Sequence, residues 1–150
     1  MLKIILSTCM RASLAMSAIP KPKVYVADDD VGVLSSLQFL LETDGFDVRT
    51  FRSGTALLNA LDHVPIDCFV IDYKMPDING VDLTNDLHRR GATAPVVLIT
   101  GHYDDKLAAR AAAAGVYDFL LKPLLDENLI KRVRKAIADR QAATGHDPAA

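Results

Sequence analysis

The chain reads as one α/β domain, a parallel sheet with helices over both faces. Three observations predict this. From Lys21 onward, short apolar runs alternate with amphipathic stretches five times. The middle runs, CFVI at 68–71 and PVVLI at 95–99, are apolar throughout, as strands covered on both faces should be. Of the 19 acidic residues, 17 are Asp and only Glu42 and Glu127 are Glu. Glu suits helix faces, whereas Asp suits caps, turns and cation sites. The negative charge therefore belongs at the ends of elements, where a strand–helix alternation has many.

The elements follow in order. KVYVA at 23–27 is a short β-branched run that ends in Asp28-Asp29-Asp30. Residues 31–43 have helical spacing, with Val33, Leu34, Leu37, Leu40 and Leu41 on one face, Asp30 as cap and Gly45 as stop. Residues 46–51 alternate as a second strand, and Ser53 caps a helix through Leu61. The third strand, 68–71, ends at Asp72. Residues 80–90 form a helix with Val81, Leu83 and Leu87 inward and Gly91 as its stop. The fourth strand, 95–99, ends at Thr100. An alanine-rich helix at 104–114 stops at Gly115, with Asp104 as its cap. A fifth strand, 116–121, ends at Lys122-Pro123. Residues 126–141 are the last helix, with Asp126 as cap and Leu129, Ile130, Val133 and Ile137 as its buried stripe. Residues 21–141 are thus the domain, 1–20 an N-terminal extension, unstructured or a short helix, and 142–150 a flexible tail.

Composition narrows the function classes. A net charge of −2 provides no global basic field for nucleic acid, and the absence of Trp weakens a base-stacking reading. No apolar run approaches the ~18 residues of a membrane span. Lys3, Ser7-Thr8 and Arg11 interrupt the first 20 residues, so they lack the continuous apolar stretch of a signal peptide. Cys9 and Cys68 form no CxxC pair, and His63, His88, His102 and His146 have no metal-ligand spacing. A disulfide scaffold and a zinc site are disfavoured, and a cytoplasmic location fits. Cys68 reads as a small buried hydrophobe. The basic run Lys131, Arg132, Arg134, Lys135 and Arg140 reads as a solvated helix face.

The polar residues at the strand ends carry the chemistry. Asp28, Asp29 and Asp30 follow the first strand, Asp72 the third, Thr100 the fourth and Lys122 the fifth. In a parallel sheet these ends share one edge, where open α/β folds bind their ligands. Singly, each has a bland reading as a cap, a turn residue, a strand end or a loop lysine. Together they place carboxylates, a hydroxyl and an ammonium in one crevice. Clustered carboxylates repel one another without a cation, and hard oxygen donors in a small crevice favour Mg²⁺. A carboxylate beside Mg²⁺ that faces a Lys and a Thr hydroxyl suits in-line phosphoryl transfer, with the carboxylate as nucleophile. Asp30 reads as a cap, with the metal left to its neighbours.

VADDD, IDYKMPDINGVDL, VVLITGH and DFLLKP, in this order and spacing, resemble the receiver domain of two-component response regulators. The likeness spans roughly residues 21–140 and is nearest the FixJ-type receivers. It implies a flavodoxin-like doubly wound (βα)5 fold with strand order 2-1-3-4-5. It also implies that Asp72 accepts a phosphoryl group from a histidine kinase or phosphotransfer protein. Asp28, Asp29, Asp72 and the backbone carbonyl of Lys74 then hold Mg²⁺, with Mn²⁺ able to serve in its place. Lys122 pairs with the phosphoryl oxygens, and the Lys122–Pro123 bond is cis. Thr100 moves to donate its hydroxyl to the phosphoryl group, and Phe119 turns inward behind it. The face of the fourth helix, fifth strand and fifth helix then changes and signals to a downstream protein. By this reading there is no enzyme beyond self-phosphorylation and slow autodephosphorylation, no nucleic-acid or membrane binding, and a monomer or a phosphorylation-dependent dimer.

Some positions depart from the residues common in the family. Ala27 stands where Val is usual, and Leu124 follows Pro123 where Phe is frequent. Lys74 and His102 lie two residues after Asp72 and Thr100. From position alone, their side chains are expected to approach the phosphoryl group and set its lifetime by steering the attacking water.

The leading reading is a stand-alone receiver. The alternatives are the receiver part of a FixJ-type transcriptional regulator without its output domain, a degenerate scaffold, and a Mg²⁺-dependent phosphohydrolase with an Asp nucleophile. The intact set of Asp28, Asp29, Asp72, Thr100 and Lys122 argues against the scaffold. Haloacid-dehalogenase-like hydrolases need a second Asp two residues after the nucleophile, and here that position is Lys74.

Overall fold

The computed structural model describes residues 20–62, 64–123 and 126–145. The expectations for residues 1–19, His63, Leu124 and 146–150, and for the side chain of Asp126, lie outside the described residues.

Five strands, β1 (Lys23–Ala27), β2 (Asp47–Phe51), β3 (Cys68–Asp72), β4 (Val96–Thr100) and β5 (Asp118–Leu121), alternate with five helices. The helices are α1 (Val31–Thr43), α2 (Gly54–Asn59), α3 (Gly80–Arg89), α4 (Asp105–Ala114) and α5 (Asp126–Gly145). All strand pairs are parallel, in the order β2-β1-β3-β4-β5. This is the expected order. Every residue of β3 and β4 is buried, which is why both runs carry no alternation.

Successive side chains of each strand point to opposite faces, so the sheet builds two cores. Tyr25, Phe69, Ile71 and Leu98 face Leu57 of α2, Leu83 and Leu87 of α3 and Leu107 of α4. Val24, Val26, Val70 and Ile99 face Leu34, Leu37 and Leu41 of α1 and Leu129 and Val133 of α5. Cys68 is fully buried in this second core, and burial pushes its thiol up to about 12. Phe39, opposite the buried stripe of α1, is 74% exposed.

The caps follow local side-chain chemistry. Asp30 accepts hydrogen bonds from the amides of Gly32 and Val33. Ser53 accepts from Ala56 and Asp104 from Leu107. Asn79, which the sequence reading left without a role, caps α3. It accepts from the Asp82 amide and donates to the Asp82 carboxylate.

Element ends depart from expectation where capping bonds compete with the ladder. Phe46 and Val116 are not strand residues, because their amides close helix C-terminal turns on Leu41 and Ala111. Tyr117 donates to Val96 before the β5 ladder begins at Asp118. Helix α2 ends at Asn59, and Ala60 and Leu61 form a tighter turn through bonds to Leu57 and Leu58. Helix α5 runs to Gly145, four residues past the expected Gln141. On its polar face Lys131, Arg132, Arg134 and Lys135 are exposed, Arg132 pairing with Asp118 and Arg134 with Asp44. Arg140 departs from the expected solvated run: it is half-buried and donates to the Ile66 carbonyl and the Thr93 hydroxyl.

Candidate phosphoryl-acceptor site

The sheet ladder sets the site. Past the last residue of β1, the Asp28 amide donates to Phe51. The Tyr73 amide donates to Ile99 and the Lys122 amide to Thr100. Asp28 after β1, Asp72 at the end of β3 and Lys122 after β5 are therefore set by the backbone ladder at one C-terminal edge of the sheet, with β4 lying between β3 and β5. Asp28 and Asp72 are almost wholly buried, as is Thr100. The side chain of Asp29 is exposed.

The three carboxylates Asp28, Asp29 and Asp72 bring one oxygen each within 4.8 Å of one another. Lys122 Nζ lies 3.1 Å from Asp72 Oδ1 and 3.3 Å from Asp28 Oδ2. The other Asp28 oxygen accepts the amide of Asp30 at 2.9 Å. Burial pushes the Asp72 carboxyl above the usual aspartate range, the charges of Asp28 and Asp29 push it the same way, and Lys122 opposes them. Burial pulls the Lys122 ammonium down, but its contacts with Asp72 and Asp28 outweigh this and leave it raised. One ammonium among three carboxylates leaves a deficit of positive charge. A hard, oxygen-liganded cation such as Mg²⁺ fits this donor set.

Two clefts meet here. Asp28, Asp29, Asp72, Lys74 and Lys122 line the first. Thr100 and His102 line the adjoining one, and Lys74, Met75 and Gly101 border both. The hydroxyl of Thr100 donates to the carbonyl of His102 at 2.9 Å and accepts the His102 amide at 3.2 Å. His102 thus meets Thr100 through its backbone. Phe119 is half-buried against the first core, edge-on to Tyr103. The Lys122–Pro123 bond is cis, as the resemblance implies.

Gly80 is a residue whose importance the sequence reading missed. A Cβ there would lie 2.9 Å from the carbonyl oxygen of Asp72 and 2.5 Å from Leu98 Cδ1. The Asn-Gly dipeptide was its only signal, and such a pair reads first as a turn.

Comparison with known proteins agrees with this geometry. Residues 24–134 match the family model described as "Response regulator receiver domain". The chain is 44% identical over 124 residues to the transcriptional regulatory protein FixJ of Azorhizobium caulinodans, covering 81% of this chain and 57% of that protein. It is 36% identical over 114 residues to the response regulator protein TmoT of Ectopseudomonas mendocina, covering 76% and 52%. The chain thus spans about half the length of the curated relatives it matches. Among solved structures, a response regulator receiver domain protein from Clostridium thermocellum superposes with a TM-score of 0.76 at 31% identity, covering 81% of this chain and 98% of that one. Full-length FixJ from B. japonicum superposes with a TM-score of 0.73 at 38% identity, covering 87% and 61%.

Proposed function

The chain belongs to the response regulator receiver domains of two-component signalling, and from that premise we propose that Asp72 accepts a phosphoryl group from a phosphohistidine donor. Receiver domains are signalling modules rather than turnover enzymes. The observation that carries the acceptor role is the Asp28–Asp29–Asp72 cluster with Lys122 bridging Asp72 and Asp28.

In the proposed step an oxygen of Asp72 attacks phosphorus, the P–N bond of the donor breaks, and the imidazole leaves with its electron pair. Bound Mg²⁺ supplies positive charge to the transferring phosphoryl oxygens. Asp28, Asp29 and Asp72 would hold it, with the carbonyl of Lys74. Lys122 stays on the phosphoryl side and offsets the added charge. Thr100 leaves the carbonyl of His102 and donates to the phosphoryl group, and Phe119 follows. This biases the face of α4, β5 and α5, through which the domain contacts a downstream protein. Water then attacks phosphorus and returns free carboxylate and inorganic phosphate. Lys74 borders the acceptor cleft and His102 the adjoining one, so both side chains are assigned to tuning that hydrolysis. No helix among the described residues is long and apolar enough to cross a membrane. The proposed cytoplasmic location rests on the receiver family.

The test is to incubate the protein with Mg²⁺ and phosphoramidate. One base-labile phosphoryl group per chain is expected, absent without the metal and absent in Asp72→Asn. Labelling of Asp72→Asn at the parental level, or steady turnover of phosphate esters, overturns the assignment. Dephosphorylation of Lys74→Ala and His102→Ala at parental rates removes their tuning role.

A further inference from the structure

The loop between β4 and the cap of α4 holds two contacts that face different partners. At its start, the Thr100 hydroxyl is closed into a ring with the carbonyl and amide of His102, at 2.9 and 3.2 Å. One residue on, the ring of Tyr103 stands edge-on to Phe119, with centroids 5.8 Å apart and planes at 89°. Tyr103 is 49% exposed, so hydrophobic burial alone does not hold it there.

The loop's two ends are anchored. Thr100 lies in the β4 ladder opposite Leu121, and Asp104 is tied to the Leu107 amide at 2.7 Å. The free length is 101–103. A Cβ at Gly101 would meet nothing within 4 Å, so the loop has room to shift at that point. Phe119 has no such freedom in its backbone, because it is paired with Leu98 in the β5 ladder. Only its ring can move, and Tyr103 leans on that ring.

We propose that Tyr103 is a positioning residue for the switch, holding Phe119 in its half-buried position for as long as Thr100 is bonded to His102. This rests on the proposed movement of Thr100 toward the phosphoryl group. When the Thr100 hydroxyl leaves the His102 carbonyl, the three-residue loop loses its tie. Tyr103 shifts with it, and the Phe119 ring is released. The two contacts form one latch with two ends, and each end stabilises the resting state.

An edge-to-face aromatic pair contributes enough to shift a two-state equilibrium about two- to tenfold. Removing the Tyr103 ring should therefore populate the active arrangement before phosphorylation. The test follows backbone amide resonances of the full chain at Ala111 and Leu121, with and without beryllofluoride and Mg²⁺. In resting Tyr103→Ala these resonances are expected to lie part-way along the line joining the parent's resting and beryllofluoride positions. In Tyr103→Phe, which keeps the ring, they should coincide with the resting parent. Phosphorylation of Tyr103→Ala by phosphoramidate should be about two- to tenfold faster than the parent. In a Thr100→Ala background, where the other end of the latch is already gone, Tyr103→Ala should add nothing. If beryllofluoride moves the parent resonances but resting Tyr103→Ala stays at the parent position, the latch is wrong and the acceptor assignment stands. If beryllofluoride leaves the parent spectrum unchanged, the acceptor assignment fails and the latch falls with it.

Discussion

Lys122 Nζ lies 3.1 Å from Asp72 Oδ1 and, 3.3 Å away on its other side, meets Asp28 Oδ2. The one ammonium bridges two carboxylates that are almost wholly buried, while the lysine side chain itself is 31% exposed. Lys122→Met keeps much of the stem and removes the charge. A fully buried pair broken on one side costs about 3–5 kcal/mol, and the exposure of Lys122 reduces that here to about 1–3 kcal/mol. The loss should appear in urea unfolding at neutral pH without divalent metal. Adding Mg²⁺ at ten times its Kd should return about 1.4 kcal/mol. A metal-free variant as stable as the parent would show that Lys122 is not compensating these carboxylates.

Gly80 and Gly54 open helices α3 and α2, yet alanine should act differently at the two. At Gly54 the new methyl would meet side chains only, Ile78 Cγ2 at 2.2 Å and the Leu83 methyls at 3.4 and 3.5 Å, so the strain falls on packing and not on the acceptor's backbone. At Gly80 it would meet Leu98 in the core and the backbone of Asp72 and Tyr73, and none of these can yield alone. Gly80→Ala should cost about 1–3 kcal/mol by overpacking and move the acceptor's backbone. Misplacement on the order of 1 Å can slow a positioned reaction about 100-fold. Phosphorylation of Gly80→Ala by phosphoramidate should fall about 10- to 100-fold and that of Gly54→Ala less than threefold. Equal rates for the two variants would contradict the role given to the Gly80–Asp72 contact.

What could be read from the sequence was what local chemistry sets. Asp30, Ser53 and Asp104 cap the helices that follow them because a short oxygen-bearing side chain reaches amides two or three residues on. The uninterrupted apolar runs at 68–71 and 96–99 announce doubly covered strands, which places Asp72 and Thr100 at the sheet edge. Contacts between distant residues left no periodicity to detect. Leu98, 18 positions after Gly80, makes that glycine necessary. Phe119 and Tyr103 meet across 16 positions. The start of β5 was misjudged because Val116 looks like a strand residue, and only the Ala111 carbonyl behind Gly115 diverts its amide.

Cys68 should be chemically silent in the folded protein. Its side chain is fully buried in the second core, and burial, with the Asp67 charge adding, pushes the thiol up to about 12. At pH 8 the thiolate fraction is then about one in ten thousand, before access is considered. In a Cys9→Ser background, which leaves Cys68 as the one thiol, a disulfide reagent should label the native protein only at its unfolding rate. One equivalent should react promptly in denaturant. Rapid native labelling would mean that the N-terminal end of β3 opens locally without global unfolding.

Asp77 ties the loop after β3 to the first turn of α2. Its carboxylate accepts the Thr55 amide at 2.8 Å and the Thr55 hydroxyl at 2.7 Å, and the Gly54 amide stands at 3.4 Å. Slight burial pushes the carboxyl up, but these donors outweigh it and hold it below the usual aspartate range. A carboxyl whose folded pKa lies below its unfolded value, about 3.9, stabilises the fold fully above that value. The contribution disappears as pH falls through the folded pKa. Asp77→Asn keeps an acceptor and removes the charge. Because the site is exposed, the cost at pH 7 should be only about 0.5–1 kcal/mol. Urea unfolding at pH 7 should show that deficit, and at a pH below the unfolded value of about 3.9 the parent and variant midpoints should lie closer together. A deficit unchanged between the two pH values would mean that shape, not charge, makes Asp77 hold α2 in place.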